Sequence, residues 1–174
     1  GTVAPSFTLH DTVSGKLVTL EDLRSDHATV VMFMCNHCPY VKHINSRLVE
    51  LAKEYIGKGV SFIAISSNDV EHYPQDGPDK MARTAEEEGY PFPYLYDERQ
   101  EVARAYDAAC TPDFYVFDGD MKCAYRGQFD DSRPKNDIPV TGEDLAAALD
   151  DVLAGRKVGI PQKPSIGCNI KWKP

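Results

Sequence analysis

Two cysteines three residues apart, with a histidine between them and a proline after them, make up the segment Cys35-Asn36-His37-Cys38-Pro39. Thiolate, not thiol, is the nucleophile in sulfur chemistry. A free cysteine titrates near about 8.5, so a reactive one needs surroundings that favour its charged form. Proline is favoured at the first helical position, where its missing N–H had no partner anyway, so Pro39 predicts a helix start with Cys38 as the N-cap. Cys38 then faces the positive end of that helix. The dipole contributes about 0.3–1 kcal/mol, whereas lowering a thiol by two pKa units takes roughly 2.7 kcal/mol. A second stabilising group is required. Lys42, four residues on along the same helical face, and His37, beside the sulfur, are the candidates.

Two other chemistries compete for these residues. Free cysteine is among the most buried residue types, so the pair could be inert core. A structural zinc needs four ligands and usually a second paired knuckle, which the sequence lacks, so no metal is expected. The flanking pattern favours reactivity over burial. Residues 28–34 are an unbroken apolar run of strand type, and beyond Val41 the apolar residues Ile44, Leu48, Leu51, Ala52 and Tyr55 recur at helical spacing. The cysteines therefore stand where a buried strand gives way to an amphipathic helix.

The other elements follow from the same periodicities. Gly57 and Gly59 end the helix, and residues 60–66 read as a second buried strand, parallel to the first. A Pro-, Asp- and Gly-rich loop over 74–79 leads into a helix that runs through Glu88 and stops at Gly89. Residues 93–96 make a short strand and 98–108 a helix. Residues 113–118 form a strand that turns at Gly119-Asp120 into a hairpin partner over 121–129. Thr141 with Asp144 three residues on resembles a capping box for a last helix with Leu145, Leu149, Val152 and Leu153 on its core face, closed by Gly155. Alternating strands and helices followed by a hairpin predict an α/β fold with a mixed central sheet and helices on both faces.

With 174 residues, 42% apolar and 26% charged, the chain has enough core for one domain, expected over 1–155. No apolar run approaches the ~20 residues of a membrane span. The net charge of −8 argues against a general nucleic-acid surface. Residues 156–174 carry five basic side chains, Arg156, Lys157, Lys163, Lys171 and Lys173, and no acidic one. The body keeps 14 basic against 27 acidic residues, a charge of −13. Opposite charges predict a basic tail lying on its own domain, with the single tryptophan, Trp172, largely buried. Five cysteines without regular spacing favour a reducing, cytoplasmic setting, with a signal or anchor ahead of Gly1 left open.

The order of elements, with cysteine at the first strand–helix junction and Thr111-Pro112 before a strand, resembles the thioredoxin fold. Ala4-Pro5-Ser6-Phe7-Thr8-Leu9 and the segment from Gly15 to Leu23 resemble the alkyl hydroperoxide reductase/thiol-specific antioxidant (AhpC/TSA, redoxin) branch. Its peroxiredoxin-like subgroup is similar in Phe33-Met34-Cys35-Asn36-His37-Cys38-Pro39-Tyr40-Val41 and Cys110-Thr111-Pro112-Asp113-Phe114. It is similar also in Gly127-Gln128-Phe129-Asp130-Asp131 with Arg133, and in Ile166-Gly167-Cys168-Asn169-Ile170-Lys171-Trp172-Lys173. The resemblance implies that Pro112 is cis and faces the nucleophilic sulfur, and that Thr111 and Pro112 form a substrate-binding edge to which an extended chain could add as a strand.

Departures from the pattern matter equally. Proline follows the second cysteine instead of lying between the two. An ungapped alignment puts Cys38 at the position of the first thioredoxin cysteine and Val41 at that of the second, so the usual resolving thiol is absent. The peroxiredoxin motif Pro-x-x-x-Thr-x-x-Cys is absent too, since Val31 and Cys35 hold its proline and threonine positions before Cys38, and Ala28 and Met32 hold them before Cys35. Cys35, Cys110 and Cys168 remain as candidates to resolve an oxidised Cys38, while Cys123 alternates within a hairpin strand and reads as structural. Arg126 or Arg133 could bind an acidic group or hold the tail. The leading expectation is a thiol-disulfide oxidoreductase with Cys38 and Cys35 as catalytic residues, a disulfide or hydroperoxide as substrate, a reducing thiol as partner and no bound cofactor. The alternatives are a weak thiol peroxidase or peroxide sensor and a non-enzymatic thiol- or metal-binding module.

Overall fold

A computed structural model describes all 174 residues. The N-terminal segment forms a hairpin, β1 (Thr8–Asp11) and β2 (Leu17–Thr19), followed by the single-turn helix α1 (Leu20–Leu23). Then come β3 (Ala28–Phe33), α2 (Pro39–Ile56), β4 (Val60–Ser66), α3 (Pro78–Glu88), β5 (Tyr94–Tyr96) and α4 (Glu101–Ala105). The chain ends with β6 (Cys110–Thr111), β7 (Asp113–Asp118), β8 (Cys123–Gly127), α5 (Glu143–Leu153) and β9 (Cys168–Asn169).

Seven strands make one mixed sheet in the order β2-β1-β5-β4-β3-β7-β8. β3 pairs parallel to β4, which pairs parallel to β5; β7 is antiparallel to β3, and β8 to β7. All six residues of β3 are buried, as a central strand covered on both faces requires. Its side chains alternate: Val30 and Met32 join a core formed with α2, α3 and α5, and Val31 and Phe33 join a second core with Phe7, Leu20, Val102 and Tyr106. Val41, Ile44, Leu48, Leu51, Ala52 and Tyr55 of α2 are all buried, so the helical spacing seen in the sequence is the face that seats on the sheet. The junction at Cys35–Cys38 is thereby fixed between a strand and a helix that are both anchored in core.

Two helices differ in their boundaries from the sequence expectation, and the hairpin strand expected over 121–129 shortens to β8. The last helix begins at Glu143 with Gly142 as N-cap, not Thr141, and no side chain caps it. Gly142 has φ +73°, and a Cβ there would press on Leu51 and the Phe129 ring, so glycine is favoured both by conformation and by space. The Asp130 carboxylate instead accepts the N–H groups of Thr141 and Gly142, each at 2.8 Å, and Asp144 is engaged by the Gln128 side chain at 2.7 Å. The helix expected over 98–108 shrinks to α4 because Gln100 and Asp107, at φ 61° and 55°, take the left-handed conformation at its two ends. The hairpin β1/β2 and the short pair β6/β9 have no counterpart in the sequence reading.

Candidate functional site

Cys38 is the N-cap of α2, with extended backbone (φ −67°, ψ 123°), and Pro39 follows at the first helical position. Its carbonyl accepts the N–H groups of Val41 and Lys42 at 3.1 and 3.0 Å, opening the helix. The Cys38 sulfur lies 3.4 Å from the carbonyl oxygen of Thr111, and the Cys35 sulfur 3.6 Å from the Thr111 hydroxyl. The Thr111–Pro112 bond is cis, as the resemblance implied. Both sulfurs are enclosed: Cys38 is 0% and Cys35 1% exposed. One threonine thus contacts both, with its hydroxyl and its carbonyl.

The two thiols are driven in opposite directions. Cys38 is lowered to about 4, chiefly by a hydrogen bond from Cys35 and against the cost of burial, with further help from Cys168, the Thr111 side chain and the Val41 N–H. Cys35 is driven up by that same hydrogen bond, in which it holds the proton, and by burial and the negative charge of Asp76. Of the two, Cys38 is the sulfur whose surroundings favour the thiolate, and Cys35 the one whose surroundings favour the thiol. Lys42 is exposed on α2, and the groups that lower Cys38 are uncharged donors, not the cations expected from sequence. A buried sulfur gains more from donors in van der Waals contact than from an ammonium in solvent.

His37 turns away from Cys38. Its Nδ1 lies 2.6 Å from Asp76 Oδ2 but is misaligned for donation and has no hydrogen-bond partner, and its ring stacks on Tyr73 with centroids 6.0 Å apart. Asp76, in the 3-10 turn Pro74–Asp76, is wholly buried. It accepts the Asn36 N–H and an Asn68 side-chain N–H, each at 2.9 Å, and Tyr94 donates its hydroxyl to Asn36 at 2.9 Å. Asp76, Asn68 and Tyr94 were missed in the sequence because each comes from a different element. The ligand atoms of Cys35, His37 and Asp76 all lie within 4.8 Å of one another, one donor short of the four that a structural zinc site uses.

Residues beyond α5 run back across this junction as a strap. Gln128 donates its N–H to Lys163 O at 3.0 Å, and the Ser165 hydroxyl donates to Pro112 O. β9 pairs antiparallel with β6, placing Cys168 opposite Thr111 and Asn169 opposite Cys110. Gly167 passes so close that a Cβ would collide with the Thr111 carbonyl. Ile170, 3% exposed, plugs the second core. Lys171 donates its N–H to Asn68 and accepts from the Asp69 N–H and the Gln100 side chain, at 2.7–2.9 Å.

Trp172 corrects the sequence reading: it is 38% exposed, under the Arg104 guanidinium at 4.6 Å, and Ile170 is the apolar anchor. Charge plays a small part in this docking. Lys163–Asp131 at 3.3 Å is an exposed pair, of the kind that contributes little. The strap also takes the edge expected to serve as substrate-binding surface, since Thr111 and Cys110 are already paired with β9.

The remaining candidates have other occupations. Cys110 is pushed up to about 12 by burial and Asp113, and its sulfur contacts the carbonyls of Ser165 and Pro112 at 3.6 and 3.8 Å. Cys123 sits half-buried on β8 against Tyr125 O. Arg126 pairs with Asp113 at 3.2 Å and covers the Tyr115 ring, while Arg133 donates to the carbonyls of Asp130 and Ser132 at 2.8 Å. All five cysteines are free.

A parallel β3–β4–β5 core, an antiparallel β7–β8 hairpin, a cysteine at the β3–α2 junction and a cis-proline beside it define a thioredoxin-fold redoxin. The AhpC/TSA family model matches residues 1–126, and the chain belongs to that family. It is similar to an uncharacterized conserved protein of Geobacillus kaustophilus, at 66% identity and TM-score 0.98, over 100% of this chain and 92% of that one. A hypothetical protein of Sinorhizobium meliloti is similar at 47% identity and TM-score 0.96, over 99% and 94%. The peroxidoxin BcpB of Mycobacterium tuberculosis, at 22% identity and TM-score 0.66 over 90% and 97%, shares the fold. Among curated proteins, none is similar to the chain. No helix is long and apolar enough to cross a membrane.

Proposed function

We propose that this redoxin is a thiol-disulfide oxidoreductase in which the Cys38 thiolate attacks a disulfide sulfur, releases one thiolate and becomes a mixed disulfide. The observation that carries this reading is the geometry of the β3–α2 junction: Cys38 is the N-cap residue of α2, and its sulfur and that of Cys35 both lie against Thr111 of the cis Thr111–Pro112 bond, surroundings that lower the Cys38 thiol. Attack rates depend on the thiolate fraction, which is nearly complete for a thiol lowered this far. A second thiol then displaces the bound half of the substrate. A reducing thiol partner closes the cycle, and the five free cysteines fit a reducing, cytoplasmic setting. No cofactor or metal takes part, because every electron moves through sulfur.

Turnover of a model aromatic disulfide, compared between the native chain, Cys38→Ser and Cys35→Ser, tests the assignment. Loss of turnover in Cys38→Ser is the expected result. Equal turnover in Cys38→Ser with loss in Cys35→Ser reverses the two roles. Consumption of hydrogen peroxide faster than of any disulfide would instead favour the peroxidase reading.

A further inference from the structure

We propose that strand β9 is a built-in counterpart of a substrate strand, and that its Cys168, not Cys35, resolves the mixed disulfide on Cys38 to leave a Cys38–Cys168 bond pinning the strap across the nucleophile. This inference rests on Cys38 being the attacking thiolate. Its geometric basis is the β6/β9 register. Cys168 pairs directly with Thr111, whose carbonyl oxygen is 3.4 Å from the Cys38 sulfur. Directly opposed residues in an antiparallel pair share a face and bring their Cβ atoms to about 4.5–5.5 Å, so Cys168 and the Thr111 side chain project to the side where both sulfurs lie. Cys110, one residue along β6, projects the other way. The strap holds this register because Gly167 leaves room for the Thr111 carbonyl and Ile170 locks the next turn of chain into the core.

The chemistry separates Cys168 from Cys35. A low-molecular-weight disulfide RSSR meets the Cys38 thiolate, a Cys38–SR bond forms, and RS⁻ leaves. Cys168 then gives up its proton to solvent and attacks the Cys38 sulfur; the Cys38–SR bond breaks, a second RS⁻ leaves, and Cys38–Cys168 forms. Two protein thiols are oxidised and one substrate disulfide is reduced to two thiols. The step needs Cys168 as thiolate. Its proton is held at present by burial, then by hydrogen bonding to Cys38 and by the Cys38 charge, which together put it at about 11, while Lys171 works the other way. Once Cys38 is in a mixed disulfide, that charge is gone and Lys171 remains. Cys35 keeps its opposing neighbour, the Asp76 carboxylate within 4.8 Å, and lies deeper, at 1% exposure. An extended polypeptide must also displace β9 from Thr111, against a competitor tethered at an effective concentration on the order of millimolar. A small disulfide needs only the strap to lift locally.

The test uses the full reduced chain treated with glutathione disulfide, quenched with an alkylating agent and mapped by peptide mass spectrometry. The expected product joins the peptides of Cys38 and Cys168, with two glutathiones released per chain. In Cys168→Ser the first glutathione should still leave in a Cys38-dependent step, and the second should lag behind it at least about tenfold more than in the native chain, as loss of a positioned reactant requires. Gly167→Ala keeps every thiol but forces the strap off Thr111, and should slow the second release in the same way. A Cys35–Cys38 bond in the native chain, or an unchanged second release in both variants, overturns the resolving role of Cys168. Failure of the first release to depend on Cys38 overturns the underlying reading instead.

Discussion

The strand–helix junction at 34–42 and the strap over 161–173 meet at the same sulfur but are built by different means. The junction is local: an apolar strand, a cysteine cap and Pro39 at the helix start are consecutive, and each follows from rules that act over a few residues. The strap has almost no secondary structure of its own, two residues of strand, and is held by Asn68, Asp69, Gln100, Ala109, Thr111 and Gln128, which are distant in sequence. The difference is one of cause. A reactive cysteine is positioned by its neighbours along the chain, whereas its charge state and its access are set by whatever the fold lays against it.

The largest effect that would break this comparison is at the junction. Cys38→Ser should lower disulfide turnover by at least about 100-fold, as removal of a nucleophile does, and eliminate the fast-reacting thiol in an alkylation time course. The rate of alkylation of native Cys38 should change little from about pH 5 to 8, because its thiol is lowered to about 4; an ordinary thiol gains about tenfold per pH unit below about 8.5. Cys35→Ala removes the main lowering hydrogen bond and should move the profile towards that ordinary curve. The sign for stability follows. A folded-state pKa below the unfolded one gives a contribution that is complete above about 8.5 and is lost as pH falls through about 4. A urea titration of the native chain and Cys38→Ser across that range measures it.

On the strap, Ile170→Ala should destabilise the protein by about 3 kcal/mol, since it empties a buried site in the second core, and should raise the accessibility of Cys38 to a bulky alkylating agent. An unchanged accessibility would show that the strap does not gate the sulfur. Asp76→Ala strands the Asn36 N–H and an Asn68 donor and should cost about 2 kcal/mol in urea unfolding. Trp172→Ala is the smallest, about 0.5–1 kcal/mol for an exposed cation–π contact with Arg104. Acrylamide should quench Trp172 partially, to an extent between that of free indole and that of a buried ring.

Particular residues show why some features were legible and others were not. The strand over residues 113–118 and the helix end at Gly89 matched the expectation because alternating or continuous apolar runs and a left-handed glycine cap are encoded in adjacent residues. Thr141 misled because a Thr-x-x-Asp pattern is locally a capping box, yet the Asp130 carboxylate, eleven residues away, captured the relevant N–H groups. Trp172 misled because charge can bring the tail to the domain without setting which side chain points inward; the anchor is Ile170, whose register against Ala109 points it into the core.

The amino-acid sequence alone determined the α/β class, the strand-to-helix passage at Cys35 and Cys38, and Cys38 as the cap, because these depend on periodicity and on proline's missing N–H. The tertiary structure alone decided that Thr111 touches both sulfurs, that the Asp76 carboxylate lies beside Cys35, and that Cys168 stands opposite Thr111. Hydrogen-bond direction, burial and strand register arise between segments up to about 130 residues apart, where no local pattern reaches.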